Sequence, residues 1–196
     1  AKPSPPLVSG PEQRARPEES VPFTCTTGGF FPDKIEVKWF KNNNPMTAQP
    51  LQVIQSRMKT YNMSSTVQVT LQKDDARSQL TCEVSHPTLR APLQGSFQLS
   101  RVLRVAPSVE VRAEPSPAEV NKTVAFTCLL KEFYPANVSI SWLENGTEIK
   151  GQNLSRPLEV SRGLFELRSR VEVQATEEKN GSTIICRVVH DGQAPA

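Results

Sequence analysis

Four cysteines and two histidines are the residues of this sequence with the widest range of chemistry. Thiols form disulfides, bind zinc or act as nucleophiles, and an imidazole binds metals or moves a proton near neutral pH. Each half of the chain holds two cysteines, which are 57 and 58 residues apart. A histidine follows the second cysteine of each half by four residues. The six positions are Cys25, Cys82, His86, Cys128, Cys186 and His190.

This spacing does not favour a metal centre or a catalytic site. Zinc sites draw on several close Cys-x-x-Cys or Cys/His pairs together, whereas this sequence has no Cys-x-x-Cys and its two histidines fall in different halves. A general base is needed once, whereas His86 and His190 stand at equivalent positions of the two halves. We therefore predict that both histidines pack or anchor a turn. The sequence also lacks a serine elbow, a phosphate loop and a carboxylate pair, so it predicts no enzyme, no metal and no cofactor.

A strand that carries a tryptophan lies between the two cysteines of each half. The segments "IEVKWF", residues 35 to 40, and "VSISW", residues 138 to 142, alternate apolar and other side chains. This is the period of a half-buried β-strand. Trp39 and Trp142 each follow the first cysteine of their half by fourteen residues. We predict that both tryptophans lie in a core.

An aromatic–proline pair precedes each tryptophan strand, as Phe31-Pro32 and Tyr134-Pro135. A cis peptide bond at the entrance of a strand is favoured here well above its usual frequency of about 5%. We predict cis-proline at Pro32 and at Pro135. The two prolines are 103 residues apart, as are the two tryptophans. The chain is therefore an internal repeat of one structural unit.

The order Cys, Trp, Cys within a set of alternating strands is the signature of an immunoglobulin sandwich. Because the signature occurs twice, we predict an all-β protein with two tandem sandwiches. The signature implies that Cys25 pairs with Cys82 and that Cys128 pairs with Cys186, each disulfide joining two sheets beneath a tryptophan. A disulfide that closes a loop of this length contributes about 4 kcal/mol to stability.

A length of 196 residues suits two domains of roughly 100 residues each. We place the first at 1–105, including the proline-rich connector "AKPSPPLVSGP", and the second at 106–196. The second domain has fewer residues after its last cysteine than the first, so we expect its final strand to be incomplete. In the first domain the pattern predicts seven strands and a tight or helical turn in "QKDDARS". The predicted strands are 7–9, 21–26, 35–40, 52–55, 64–71, 80–85 and 96–103.

Cysteine usage and asparagine sequons indicate the secretory pathway. Cysteines that are all accounted for by the repeat are typical of an oxidising, extracellular environment. Six asparagines fit the N-glycosylation pattern, whereas Asn44 is followed by proline and does not. The candidates are Asn62, Asn121, Asn137, Asn145, Asn153 and Asn180. Five of them belong to the second domain, so a carbohydrate sheath there would suit a stalk.

The formal net charge of +3 is small, and the basic residues are scattered among acidic ones. A nucleic-acid interface needs a clustered basic stripe, so we expect no nucleic-acid partner. Two loose arginine groups are interpreted as solvated strand faces. They contain Arg101, Arg104, Arg156, Arg162, Arg168 and Arg170. No apolar run is long enough to cross a bilayer.

The segments "FTCTTGGFFPDKIEVKWFKN" with "CEVSH", and "FTCLLKEFYPANVSISWLENG" with "CRVVH", resemble immunoglobulin domains of the constant, or C1, set. The connector, the segment "SHPTLRAPLQGSFQLSRVLRV" and the motif "WLENG" resemble the two membrane-proximal domains of the signal-regulatory protein family. The resemblance implies the extracellular part of a single-pass plasma-membrane immune receptor with three such domains. It further implies that integrin-associated protein binds an upstream variable-type domain, so no ligand-binding residue carries over to this sequence.

The sequence is compatible with two functions. The first is a spacer that projects a distal recognition domain from a membrane. The second is an adhesion or lateral-association module that binds a protein through its own strand faces. Side chains that could build such a face are Phe40, Met46, Met58, Tyr61 and Met63. An antibody-type constant pair is less favoured, because it usually needs an interchain cysteine and none is spare.

Overall fold

The computed structural model describes residues 1–114, 122–174 and 181–193. The chain divides into two compact units, Ala1–Arg104 (unit 1) and Val105–Ala196 (unit 2). This division falls one residue from the predicted boundary. Strands dominate the described residues, and the helical segments there are two short 3-10 turns. The predicted all-β class is confirmed.

Unit 1 contains eight strands in two sheets. One sheet has the order β1-β2-β6-β5 and the other the order β4-β3-β7-β8, with all neighbours antiparallel. The strands are β1 (Leu7–Ser9), β2 (Ser20–Phe30), β3 (Glu36–Lys41), β4 (Asn44–Met46), β5 (Gln52–Gln55), β6 (Tyr61–Thr70), β7 (Gln79–Ser85) and β8 (Leu93–Gln98). The 3-10 turns are η1 (Lys73–Arg77) and η2 (Leu99–Arg101).

The predicted strands of the first domain are all present, with two differences. Strand β4 was missed, because three residues that include Pro45 carry no periodicity; the proline is tolerated since β4 is an edge strand. The last strand was predicted at 96–103 but ends at Gln98. After Gln98, the backbone N–H of Leu99 donates a hydrogen bond to the carbonyl of Ser78, and the backbone continues as η2. The turn predicted in "QKDDARS" is η1.

Unit 2 repeats this arrangement in its described residues. One sheet has the order β13-β15-β10-β9, with β14 also paired to β15, and the other has the order β12-β11-β16. The strands are β9 (Ser108–Glu114), β10 (Thr123–Phe133), β11 (Val138–Glu144), β12 (Thr147–Ile149), β13 (Asn153–Leu154), β14 (Leu158–Ser161), β15 (Leu164–Gln174) and β16 (Ile184–His190).

The inward-facing side chains of the two sheets form the core of each unit. In unit 1, Phe23, Val67 and Leu80 are completely buried. In unit 2 the corresponding cluster is built around Leu130 and Trp142, which are also completely buried. Alternating strands produce this outcome because every second residue points into the same face. Burying these side chains supplies the main favourable free energy of folding.

The proline-rich connector packs on unit 1. The backbone of Phe31 exchanges hydrogen bonds with Ala1, and the backbone N–H of Ser4 donates to the carbonyl of Gly28. Pro3 and Pro6 are buried. Residues that read as an extended connector in the sequence are therefore part of the first sandwich.

The core of unit 2 is less covered on one side. Val8 of β1 is 7% exposed, whereas Val111, at the equivalent place in β9, is 45% exposed. In unit 1 the side of the core next to β1 is closed by β8, where Gly95 lies against the backbone of Pro6. Among residues 122–174 and 181–193, no strand pairs with the second edge of β16. No helical segment in the described residues has the length and apolar character of a membrane span.

Candidate functional site

Both predicted disulfides are present, and each joins the two sheets of its unit. Cys25 on β2 is bonded to Cys82 on β7, with a Cα–Cα distance of 6.4 Å. Cys128 on β10 is bonded to Cys186 on β16, at 6.3 Å. The described cysteines include no free thiol. The reactive chemistry of the thiols is therefore replaced by a covalent link inside each core.

A second link between the sheets lies beside each disulfide. The indole Nε1–H of Trp39 donates to Ser65 Oγ at 2.8 Å, and both groups are buried. Trp39 is paired across the sheet with Cys82, and Ser65 with Cys25. These four residues form an intersheet square, with the disulfide on one side and the hydrogen bond on the other.

Unit 2 contains the same intersheet square. Trp142 Nε1–H donates to Ser169 Oγ at 2.8 Å, and Ser169 in turn donates to Gln152 Oε1 at 2.5 Å. Gln152 extends this network by donating to the carbonyl of Ile140 at 2.9 Å. A buried indole N–H needs an acceptor, so each serine removes the cost of an unsatisfied donor.

The two serines were not identified from the sequence. Their signal was available, because Ser65 is the one polar residue at the inward positions of "MSSTVQV", between Met63 and Val67. Ser169 occupies the repeat-equivalent place on β15. A polar residue in an inward row opposite a tryptophan predicts a hydrogen bond across the core.

The histidines anchor the loops that contain the cis prolines. His86 Nε2 lies 2.8 Å from the carbonyl oxygen of Pro32, and His190 Nε2 lies 2.8 Å from that of Pro135. A carbonyl oxygen only accepts, so Nε2 is the donor in both cases. Both peptide bonds preceding these prolines are cis. With Nε2–H engaged in this way, the histidines perform the predicted anchoring role.

The second ring nitrogens of the histidines differ. In unit 1, His86 Nδ1 accepts the backbone N–H of Thr88 at 3.2 Å and lies 2.7 Å from its hydroxyl. In unit 2, the buried His190 Nδ1 has no hydrogen-bond partner among the described residues. Within residues 1–114, 122–174 and 181–193, no three His, Cys, Asp or Glu side chains gather as metal ligands.

Four of the six candidate glycosylation asparagines lie in the described part of the sequence, and all four are exposed. They are Asn62, Asn137, Asn145 and Asn153. Asn121 and Asn180 lie outside the described residues. Glycosylation remains a prediction at each of these positions, and exposure is the first condition that an acceptor asparagine must meet.

The apolar residues predicted for a recognition face do not form one surface. Met63 is 2% exposed and lies in the core, so its assignment to a surface was wrong. It shares the inward face of β6 with Ser65, two residues on. Phe40 and Met46 are half-buried on the other sheet, whereas Tyr61 packs on Phe31 with ring centroids 6.4 Å apart. Met58 is 86% exposed.

The outer face of the sheet β13-β15-β10-β9 carries charges of both signs. Arg112 lies 2.6 Å from Glu110, and Lys131 lies 3.4 Å from the same carboxylate. Arg170 pairs with Glu172 at 3.0 Å. The basic residues of this face are interleaved with acidic ones, as expected of a solvated strand face.

The contacts of Glu110 predict its titration. The hydrogen bond and charge of Arg112, followed by those of Lys131, hold the pKa of Glu110 below its ordinary value of 4.5. A lowered pKa in the folded state stabilises the fold at neutral pH, and this contribution is lost as the pH falls through that pKa. We expect Arg112→Gln to raise the pKa of Glu110 towards 4.5 in an NMR carboxyl titration. Arg170→Gln, which removes the partner of Glu172, should leave the pKa of Glu110 unchanged. An equal pKa of Glu110 in the two variants would contradict the role of Arg112.

Comparison with known proteins agrees with this architecture. The immunoglobulin C1-set domain family matches residues 7–89 and 109–193. The chain is 40% identical to tyrosine-protein phosphatase non-receptor type substrate 1 of Bos taurus over 196 residues, and 39% identical to signal-regulatory protein beta-1 of Homo sapiens over 195 residues. Both alignments cover 98% of this chain, which spans 38% and 48% of the two relatives.

An antibody constant region is a more distant relative. The immunoglobulin gamma constant region of Oryctolagus cuniculus is 25% identical over 201 residues, covering 96% of this chain and 62% of the relative. The lower identity agrees with the preference for signal-regulatory proteins over an antibody-type pair. The chain belongs to the immunoglobulin C1-set family, as two consecutive domains of the kind found in signal-regulatory proteins.

Proposed function

We propose that this chain is the membrane-proximal spacer region of a cell-surface immune receptor of the signal-regulatory type. It presents a distal variable-type domain, and that domain binds integrin-associated protein. The observation that carries the proposal is the identity of about 40% with two signal-regulatory-type relatives along 98% of the chain. The proposed location is the extracellular side of the plasma membrane.

The structure of each unit supports a mechanical role. A disulfide and a buried tryptophan–serine hydrogen bond join the sheets in both units. Both histidines donate Nε2–H to proline carbonyls, so the role they share is to anchor a loop. The proposal therefore contains no catalytic step. Rigid, repeated sandwiches suit a support that holds a recognition domain away from a membrane.

The alternative function is direct binding of a protein through a strand face. A shallow, mainly polar groove of about 470 Å³ crosses the outer face of the sheet β4-β3-β7-β8. Phe40, Thr81, Glu83 and Gln94 line it. Tight protein interfaces are usually centred on buried aromatic anchors, and Phe40 alone is a weak one. We therefore favour the spacer.

The test compares two immobilised proteins made in mammalian cells. One is this chain, and the other is a longer form that carries the proposed upstream domain. We expect integrin-associated protein to bind the longer form and to give no signal on this chain in surface plasmon resonance. Binding by this chain alone would overturn the spacer role, and absence of binding by both would overturn the assignment of the ligand.

A further inference from the structure

A groove of about 530 Å³ crosses the outer face of the sheet β1-β2-β6-β5 in unit 1. Leu7 of β1 forms one wall and Ile54 of β5 contributes to the other, and these side chains are 68% and 64% exposed. Such exposure of large apolar side chains on both sides of one groove is unfavourable in water, so a cover would stabilise it.

The floor of the groove is polar and follows from the strand register. Leu7 pairs with Thr26, Thr26 with Ser64, and Ser64 with Gln52, so these residues form one row on the outer face. Hydroxyl groups therefore lie between Leu7 at one edge and Gln52 and Ile54 of β5 at the other. A ligand for this surface needs both apolar faces and hydroxyl or amide groups.

Asn62 lines the same groove, and its sequon is completed by Ser64 of the floor. Its amide oxygen Oδ1 accepts the backbone N–H of Gly29 at 3.4 Å. Oδ1 also lies close to Gly28. A Cβ atom added to Gly28 would be 2.3 Å from this oxygen. Among the described residues, the amide nitrogen Nδ2 makes no hydrogen bond. The side chain is therefore held by its oxygen, while the nitrogen that accepts a sugar is not engaged.

We propose that Asn62 carries an N-linked oligosaccharide whose first sugars lie in this groove, against Leu7 and Ile54. Pyranose rings present C–H faces together with hydroxyl and N-acetyl groups, which matches the apolar walls and the hydroxyl-bearing floor. In the attachment step, Nδ2 forms a bond to the anomeric carbon of N-acetylglucosamine and loses a proton. The bond from that carbon to the phosphate oxygen of a lipid-linked pyrophosphate donor breaks, and the lipid pyrophosphate leaves.

The side-chain amide of Asn145 makes contacts that the amide of Asn62 lacks. Asn145 Nδ2 donates to Ser182 Oγ at 3.2 Å, and its Oδ1 accepts the backbone N–H of Thr183 at 3.0 Å. The repeat-equivalent Asn42, which has no sequon, makes the same two contacts with Ser78 and Gln79. The amide of Asn145 therefore ties a hairpin to a neighbouring loop, whereas the amide of Asn62 faces a groove.

The glycan would also restrict what else this face can do. A sugar over Leu7 and Ile54 covers the apolar groove of unit 1 and leaves the polar groove beside Phe40 uncovered. A protein partner of unit 1 would then have to use the sheet β4-β3-β7-β8. The inference is independent of the spacer function, because it concerns the occupant of one face and not the ligand of the receptor.

The test uses the protein expressed in mammalian cells. Glycopeptide mass spectrometry should find Asn62 occupied, and the rate of glycan release by peptide N-glycosidase under native conditions should be low. In the double variant Leu7→Ser/Ile54→Ser the sequon is intact but the walls are polar, and we expect release from Asn62 to be about tenfold faster. NMR should show contacts between the first N-acetyl group and the methyls of Leu7 and Ile54 in the parent protein.

The predicted glycan at Asn153 is the matched control. It stands on the charged outer face of unit 2, across from Arg170, and its release rate should be equal in the parent protein and the double variant. Because Leu7 and Ile54 are exposed, the variant is expected to fold, and circular dichroism checks this point. An unmodified Asn62, or equal release rates from Asn62 in the folded parent and variant, would overturn the proposal.

Discussion

Replacing both cysteines of one disulfide with alanine is expected to lower the free energy of unfolding of that unit by about 4 kcal/mol. The value follows from loops of 57 and 58 residues, whose closure restricts the unfolded state. A loss of this size is a large part of the stability of a domain of roughly 100 residues. We expect it for Cys25→Ala/Cys82→Ala in unit 1 and for Cys128→Ala/Cys186→Ala in unit 2.

The two units allow each double variant to serve as the control for the other. Each unit contains one tryptophan whose indole N–H is buried and hydrogen-bonded, Trp39 in unit 1 and Trp142 in unit 2. Their two indole resonances report the unfolding of each unit separately in a urea titration followed by NMR. The indole resonance of the altered unit should disappear at a lower urea concentration than in the parent protein. The resonance of the other unit should disappear at the same urea concentration as in the parent protein. A change below about 1 kcal/mol, or an equal shift of both resonances, would contradict the prediction.

Asp75→Asn is expected to lower the stability of unit 1 by about 3 kcal/mol. The Asp75 side chain is 4% exposed and accepts from Lys41 Nζ at 3.0 Å and from the backbone N–H of Gln72 at 2.7 Å. Its second oxygen accepts from Ser78 Oγ at 2.8 Å. An amide supplies one acceptor oxygen instead of two, so at least one buried donor loses its partner and Lys41 loses its counter-charge.

The control for this substitution is Glu36→Gln. Glu36 lies on β3 and is exposed, so the substitution removes the same charge without affecting a buried network. Glu36→Gln should change the free energy of unfolding of unit 1 by no more than about 0.5 kcal/mol. Urea unfolding monitored at the Trp39 indole measures both variants. Equal stability of the two variants would show that the Asp75 network contributes no more than a surface charge.

Several elements of the fold followed directly from residue spacing. The alternation around Trp39 and Trp142 predicted core strands, because a pleated strand turns every second side chain to one face. The repeat of the Cys–Trp–Cys order predicted two sandwiches and both disulfides. Strand β4 was missed and β8 was placed too far along the sequence, since short edge segments carry little periodicity and depend on the partner strand.

The candidate sites depended more on tertiary structure. The six sequons look alike in sequence, but the structure shows that the amide of Asn145 is engaged and that of Asn62 faces a groove. Met63 looked like a surface residue because the predicted strand began at residue 64, whereas β6 begins at Tyr61 and turns Met63 inward, opposite Thr27 on β2. Both distinctions depend on which residues meet across strands.

By itself, the sequence determined the fold class, the two-domain repeat, the disulfide pairs and the family, because these depend on residue type and on separation along the sequence. Only the tertiary structure decided the partners of the polar groups: Ser65 for Trp39, Asp75 for Lys41 and the carbonyl of Pro32 for His86. These partners are 26, 34 and 54 residues apart in the sequence. A hydrogen bond depends on distance and direction in space, and strand pairing rather than sequence separation sets both.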